Sequence, residues 1–262
     1  MKGLLVVIPC FNAAASLERS LASALAQKVD PLKIVIVDDA STDESLALAH
    51  NLAARDDRVS VLSMPVNSGP GAARNLGARS QPSRYLAFLD ADDEYLPHAL
   101  PSALNVLDKD ARWDAIKFGF ETEPRIDLAP AHYDITYNSI PSNLVLKRYV
   151  FDVLGGFPED AVFRSKLAGE DVAFYEGIQR LFHLARAQDR LLRYNCPPGS
   201  HLFRMMEDCP LDETGQAIFP QTPEREELGR AIGRYITQGR ERMRLAARLW
   251  SEAGCPVPKD AP

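Results

Sequence analysis

The chain begins with an apolar, β-branched run, Leu4 to Ile8, and then places Leu17, Leu21, Ala24 and Leu25 at helical spacing. The same exchange of periods repeats. Lys33 to Val37 is a second short apolar run, and Leu46, Leu48, Ala49 and Leu52 suit a second helix. Val59 to Leu62 reads as a third strand, Pro70 to Ala78 as a third helix and Tyr85 to Leu89 as a fourth strand. The predicted order is β-α-β-α-β-α-β. Strands that are apolar on both faces and separated by helices imply a parallel sheet covered on both sides, reached by right-handed crossovers. The fold class is therefore α/β, with a mostly parallel, Rossmann-like central sheet flanked by helices.

Beyond the first hundred residues the pattern is less regular. Residues 112–221 mix strands, such as Ala115 to Phe120, with helices and proline-containing loops, and read as a second lobe abutting the first, 1–111. In 222–262, Leu228, Ile232, Tyr235, Ile236, Met243, Leu245, Ala246 and Leu249 form a broken apolar stripe amid seven arginines between Arg225 and Arg248. This predicts a C-terminal amphipathic helix. It can pack on its own domain, lie on an anionic membrane or pair with a second copy.

Composition narrows the field. With 262 residues, 46% hydrophobic, 25% charged and 8% aromatic, the chain has ample length for a core. A net charge of −6 argues against a nucleic-acid binder, which would need a basic face. The apolar start is too short for a signal segment, and no run approaches a membrane span. Cys10, Cys196, Cys209 and Cys255 are scattered without metal or disulfide spacing, which suits a cytoplasmic protein.

The chemistry gathers where strands end, the edge at which open α/β sheets bind ligands. Asp38-Asp39-Ala40-Ser41-Thr42-Asp43 closes the second strand. Ser41 or Thr42 suits a helix cap and Asp43-Glu44 a first turn, which leaves Asp38 and Asp39 to accept from a ribose hydroxyl or a base N–H. The fourth strand runs into Asp90-Ala91-Asp92-Asp93, three carboxylates in four residues. Mg²⁺ and Mn²⁺ take oxygen ligands, usually one or two carboxylates plus a substrate phosphate, so Asp90 and Asp92 can share an ion. The other reading is a solvated turn with Asp92 or Asp93 capping a helix from near Leu96. No glycine-rich phosphate cradle follows the first strand, so hydride transfer and nucleoside-triphosphate hydrolysis lose support.

Four segments now carry a resemblance: Val6-Val7-Ile8-Pro9-Cys10-Phe11-Asn12, the run Ile34 to Asp43, Asn67-Ser68-Gly69-Pro70-Gly71-Ala72-Ala73-Arg74-Asn75, and Leu86 to Asp93. In this order the chain resembles family 2 of the inverting, nucleotide-sugar-dependent glycosyltransferases with the GT-A fold. The resemblance implies that Pro9, Phe11 and Asn12 line the base pocket and that Asp39, with Asp38 beside it, hydrogen-bonds the base, most often uracil. It implies that Asn67 to Gly71 shape, and Arg74 belongs to, a segment closing over base and ribose. Asp90 and Asp92, with Ala91 between and Asp93 beside them, become the Asp-x-Asp metal pair for Mn²⁺ or Mg²⁺.

In the second half Gly155-Gly156-Phe157-Pro158 resembles the family's acceptor loop, and Gly169-Glu170-Asp171 its Glu-Asp motif. By that match Asp171 is the catalytic base and Glu170 supports metal-side or acceptor contacts. Residues 1–111 would then bind the nucleotide sugar and 112–221 a saccharide or lipid-linked acceptor. The segment Tyr194 to His201 departs from the family's Tyr-Arg-x-His-Pro-Gly-Ser, with Asn195 and Pro197 at the Arg and His positions. His201 is then either a late metal or phosphate ligand or an ordinary loop histidine. The implied activity is transfer of a sugar from a nucleoside-diphosphate sugar, a UDP-sugar above all, in polysaccharide, lipopolysaccharide or glycolipid assembly, in the cytoplasm or at the inner membrane face. Its rivals are a non-catalytic nucleotide-sugar binder and a nucleotidyltransferase, which would need a basic glycine-rich loop.

Overall fold

The computed structural model describes residues 3–164 and 169–252; Cys255 lies outside the described residues. The first half follows the sequence pattern: β1 (Leu4–Cys10), α1 (Leu17–Leu25), β2 (Leu32–Asp38), α2 (Ser45–Ala53), β3 (Val59–Ser63), α3 (Pro70–Ser80) and β4 (Tyr85–Phe88). Then come β5 (Glu94–Tyr95), α4 (Ala99–Lys109), β6 (Ala115–Glu123), α5 (Pro130–Ser139), β7 (Leu144–Lys147), α6 (Arg148–Leu154), α7 (Glu170–Leu181), β8 (Leu184–Asn195), α8 (His201–Asp208) and α9 (Pro223–Glu252).

All eight strands belong to one sheet, in the order β3-β2-β1-β4-β7-β6-β8-β5. The β3-β2-β1-β4 half is parallel throughout, with Val7 opposite Val35 on one side and Phe88 on the other. Beyond it β7 runs antiparallel between β4 and β6, β8 is parallel to β6, and β5 closes the edge antiparallel to β8. Alternate side chains of each parallel strand feed two cores. Val6, Ile8, Ile34 and Ile36 pack with Leu17, Leu21 and Leu100 on one face; Val7, Val35, Val37 and Phe88 pack with Ala73, Phe151, Phe174 and Tyr235 on the other. Gly77 lets α3 lie close on the sheet, because a Cβ there would run into Val7.

Two capping expectations need correction. Helix α2 starts at Ser45, and Glu44 before it makes no side-chain cap; Ser41 and Thr42 instead bond the Asn12 loop. Helix α4 starts at Ala99 behind His98, which sits at φ 69°, so neither Asp92 nor Asp93 caps it.

Helix α9 buries Ala231, Tyr235, Ile236 and Met243. The Tyr235 hydroxyl donates to the Gly156 carbonyl at 2.6 Å, and Arg242 donates to the carbonyls of Val153 (2.9 Å) and Leu154. One face of the amphipathic helix thus packs on its own domain, each fully buried large side chain contributing about 1.5–3 kcal/mol. Among the described residues no helix is long and apolar enough to cross a membrane.

Candidate active site

The parallel strands deliver three loops to one edge. After β1, Asn12 adopts φ 51°. Its Oδ1 accepts from the Thr42 amide at 2.8 Å, and its own N–H donates to Ser41 Oγ at 3.0 Å. The Ala13 amide donates to Ser45 Oγ at 2.8 Å. These bonds tie the first loop to the second and leave Phe11 exposed, while Pro9 is buried inside β1 opposite Val37.

Asp38 and Asp39 are both buried. Asp39 uses both oxygens, accepting from the amides of Ser68 and Gly69 at 2.8 Å each, and so fixes the turn that leads into α3. Asp38 accepts from the Ser41 amide through Oδ2, while its Oδ1 is buried without a partner. A buried lone acceptor is costly unless something donates to it.

The Asp90 loop is held on three sides. The Asp90 amide donates to Ser142 Oγ at 3.0 Å, and the Asp90 carbonyl accepts from Ser20 Oγ and from the Asp93 amide. Ala91 is buried beneath the turn. Asp92 has an exposed side chain, but protein packed around the carboxyl and, next, the charge of Asp90 push it up to about 6. Asp93 is fully buried and faces β8: one oxygen accepts from the Asn195 amide at 3.1 Å, the other has no partner, and loss of water raises it well above the carboxylate range. Asn195 also donates to the Asp92 carbonyl. Asp92 therefore faces solvent and Asp93 the interior, the separation that an irregular turn imposes on adjacent residues.

Arg74 joins the two halves of the site. It is 4% exposed, and its guanidinium donates to Asp90 Oδ1 at 2.6 Å and to Glu170 Oε1 at 3.3 Å while lying 5.3 Å from the Phe157 ring centroid. Burial opposes its charge, but Asp90 and Glu170 outweigh that and hold it above its ordinary value. The sequence pattern placed Arg74 with the base-covering segment; the structure buries it between the two acidic motifs. Gly71, one turn earlier on α3, makes the approach of Glu170 possible, since a Cβ there would lie 2.9 Å from Glu170 Cγ.

Glu170 and Asp171 open α7 after Gly169, at φ 109°. Asp171 is half-buried; loss of water and then the Glu170 charge push its carboxyl up to about 7, against the pull of Arg74. His201 opens α8, and the same Glu170 charge reaches it; loss of water and Arg204 nevertheless hold its ring below the usual histidine value. Asn75 and Ser142 were not singled out from sequence. Asn75 clamps the Gly-Gly-Phe loop, accepting from the Phe157 amide and donating to its carbonyl, both at 2.8 Å. The bonds of Ser142 and Asn75 span 52 and 82 residues, so no local spacing announces them.

No metal cage of three or more His, Cys, Asp or Glu side chains exists among the described residues. Asp90 and Asp92 offer oxygen donors only, a chemistry that would fit an ion that keeps waters and takes further ligands from a phosphate.

Comparison with known proteins bears on the family and the fold. The family model for Glycosyl transferase family 2 matches residues 5–167. The succinoglycan biosynthesis protein ExoU of Rhizobium meliloti is 30% identical over 190 residues, 72% of this chain and 51% of that protein. A GalNAc(5)-diNAcBac-PP-undecaprenol beta-1,3-glucosyltransferase of Campylobacter jejuni is 33% identical over 105 residues, 40% of this chain and 34% of its own. The chain spans about half or less of such curated relatives. Among solved structures, S. aureus TarS in complex with UDP-GlcNAc superposes with a TM-score of 0.69 at 18% identity, covering 96% of this chain and 73% of that one. The Pyrobaculum calidifontis mannosyltransferase PcManGT with GDP-Man and Mn²⁺ gives 0.61 at 18%, covering 94% and 75%. The likeness to these structures is one of fold, and the motif order and the family match together show that the chain belongs to glycosyl transferase family 2.

Proposed function

We propose that this chain is an inverting glycosyltransferase that moves a sugar from a UDP-sugar to an acceptor hydroxyl in polysaccharide, lipopolysaccharide or glycolipid assembly. The observation that carries the reading is the buried Arg74 bridge, which holds the carboxylates of Asp90 and Glu170 one guanidinium apart, with Asp171 next to Glu170 on α7. A donor-side acid pair and an acceptor-side base are then parts of a single site. The bound UDP-GlcNAc of TarS favours a uridine donor, and the names of the Rhizobium and Campylobacter relatives favour saccharide and lipid-linked acceptors.

In this reading residues 1–111 hold the donor, with Phe11 and Asn12 beside the base and the free Oδ1 of Asp38 accepting from it while Asp39 keeps the Ser68-Gly69 turn in place. Asp92 and Asp90 would hold Mn²⁺ or Mg²⁺, whose charge relieves their mutual repulsion. When bound, the ion supplies positive charge to the diphosphate leaving group. Residues 112–221 hold the acceptor, and Asp171 accepts the hydroxyl proton as the acceptor oxygen attacks the anomeric carbon from the face opposite UDP. A carboxyl near pH 7 suits a general base, because it combines ionisation with a useful proton affinity. His201, at the start of α8, would be a late metal or phosphate ligand.

The test is UDP release from UDP-sugars with Mn²⁺, with and without chelator. Wild-type release that chelator abolishes is expected, and Asp171→Asn should lose about 10²–10⁴-fold. Full release by Asp171→Asn would reject the base, and no release of any kind would favour a non-catalytic binder.

A further inference from the structure

Lys117, in the middle of β6, is 1% exposed. Among the described residues it forms no direct ion pair. Its Nζ donates to the carbonyls of Asn138 at 3.2 Å and Ile140 at 3.1 Å, at the end of α5, and lies 4.7 Å from the Tyr175 ring centroid and 5.6 Å from that of Tyr137. Two carbonyls and two aromatic faces partly solvate an ammonium, yet burying the cation still carries a desolvation cost that an apolar side chain would avoid. The two carbonyl bonds make the lysine a cap at the end of α5, and its charge also acts beyond that helix.

The acidic group whose charge reaches it is Asp171. Tyr175 follows Asp171 by four residues on α7, so the two side chains share one helix face. Lys117, lying over Tyr175, therefore stands on the side of α7 from which Asp171 projects. Arg186 from β8 completes the surroundings, donating to Asn138 Oδ1 at 3.0 Å and to the Tyr175 hydroxyl, with its guanidinium 5.4 Å from the Tyr137 ring centroid. The charged and titratable groups facing the pair are Glu170 from α7, Arg74 from α3, Arg186 from β8, Tyr137 from α5 and Tyr175 from α7.

We propose that Lys117 is a positioning residue for the transfer reaction: from the Tyr175 face of α7 it favours Asp171 as a carboxylate, ready for the acceptor proton, and ties that face to the end of α5. This rests on Asp171 being the base. Burial drives the two groups in opposite directions, the lysine down to about 7 and the carboxyl up to about 7, while each one's charge pulls the other back toward ionisation. The charged forms of the two groups therefore coexist most near neutral pH.

The experiment is a double-mutant cycle of urea unfolding for wild type, Lys117→Met, Asp171→Asn and the double variant, from pH 5.5 to 8.5. Should Lys117→Met not fold, Lys117→Gln takes its place. The expected coupling is about tenfold in the unfolding constant near pH 7, falling on both sides as Asp171 gains or Lys117 loses its proton. Lys117→Arg keeps the cation and should keep the coupling. Additive effects of the two changes, or a coupling flat with pH, overturn the pairing. The UDP-release assay is read separately. A dead Asp171→Asn with additive effects keeps the base and removes Lys117, whereas an active Asp171→Asn removes the base and the role proposed for Lys117 with it, even if the pair couples.

Discussion

Arg74 holds the site's charge balance. A guanidinium buried between Asp90 and Glu170 offsets two carboxylates, and truncating it strands both. Arg74→Met is expected to cost about 3–5 kcal/mol in urea unfolding and to weaken binding of UDP with Mn²⁺. A variant that loses stability but binds UDP normally would make the bridge purely structural. Asp171 gives the opposite balance. Because the native state binds its proton more tightly than the unfolded chain, stability falls as pH rises from the ordinary carboxylate range to about 7, and the full penalty is present at pH 8. Asp171→Asn should therefore melt higher than wild type at pH 8 while releasing UDP far more slowly. Wild-type kcat should fall as pH drops below about 7, where the base becomes protonated. Asp90, Asp92, Glu170 and Asp171 were legible because each sits in a short acidic motif beside an element boundary. The bridging of Arg74 was not, since its partner Glu170 lies 96 residues away and a helical arginine has no local mark of burial.

At the scale of elements, the loop at Gly155 and Gly156 links the site's second half to the C-terminal helix. Gly156 adopts φ +85°, and a Cβ there would collide with Asn75 Oδ1. Tyr235 of α9 caps the same residue's carbonyl. Gly156→Ala is expected to cost at least about 1–3 kcal/mol from backbone conformation alone, read as a lower melting temperature. An unchanged melt would mean that the loop adapts freely. The parallel half of the sheet was readable because β1, β4 and, after the exposed Lys33, β2 are buried on both faces and leave apolar runs. The mixed half was harder to read. Much of β8 lies on a half-exposed edge, its sequence mixing Arg186, Gln188, Asp189 and Arg190 with apolar residues, and β7 passes into α6 with no breaker between them.

For the whole molecule, a net charge of −6 coexists with a local cationic face. The first half of α9 pairs its arginines, Arg230 and Arg234, with Glu226 and Glu227. Its second half leaves Arg240, Arg244 and Arg248 exposed near Leu245 and Leu249, each more than half exposed. On an anionic membrane surface each of these arginines would contribute about 1 kcal/mol, offset in part by the exposed Glu241. Co-sedimentation with phosphatidylglycerol vesicles, weakened by salt and absent with phosphatidylcholine, is expected; equal binding to both would refute a charge-led contact. Asp38, Asp90 and Asp92 stand at one edge of the parallel strands, with the Arg74 bridge on Asp90. The most direct measurement is the melting temperature with UDP-, GDP- and dTDP-sugars, each with and without Mn²⁺. The expected result is a Mn²⁺-dependent rise with a UDP-sugar, about 2.7 kcal/mol of stabilisation at a hundredfold excess over Kd, lost in Asp92→Asn; no rise with any of the three donors would contradict the account.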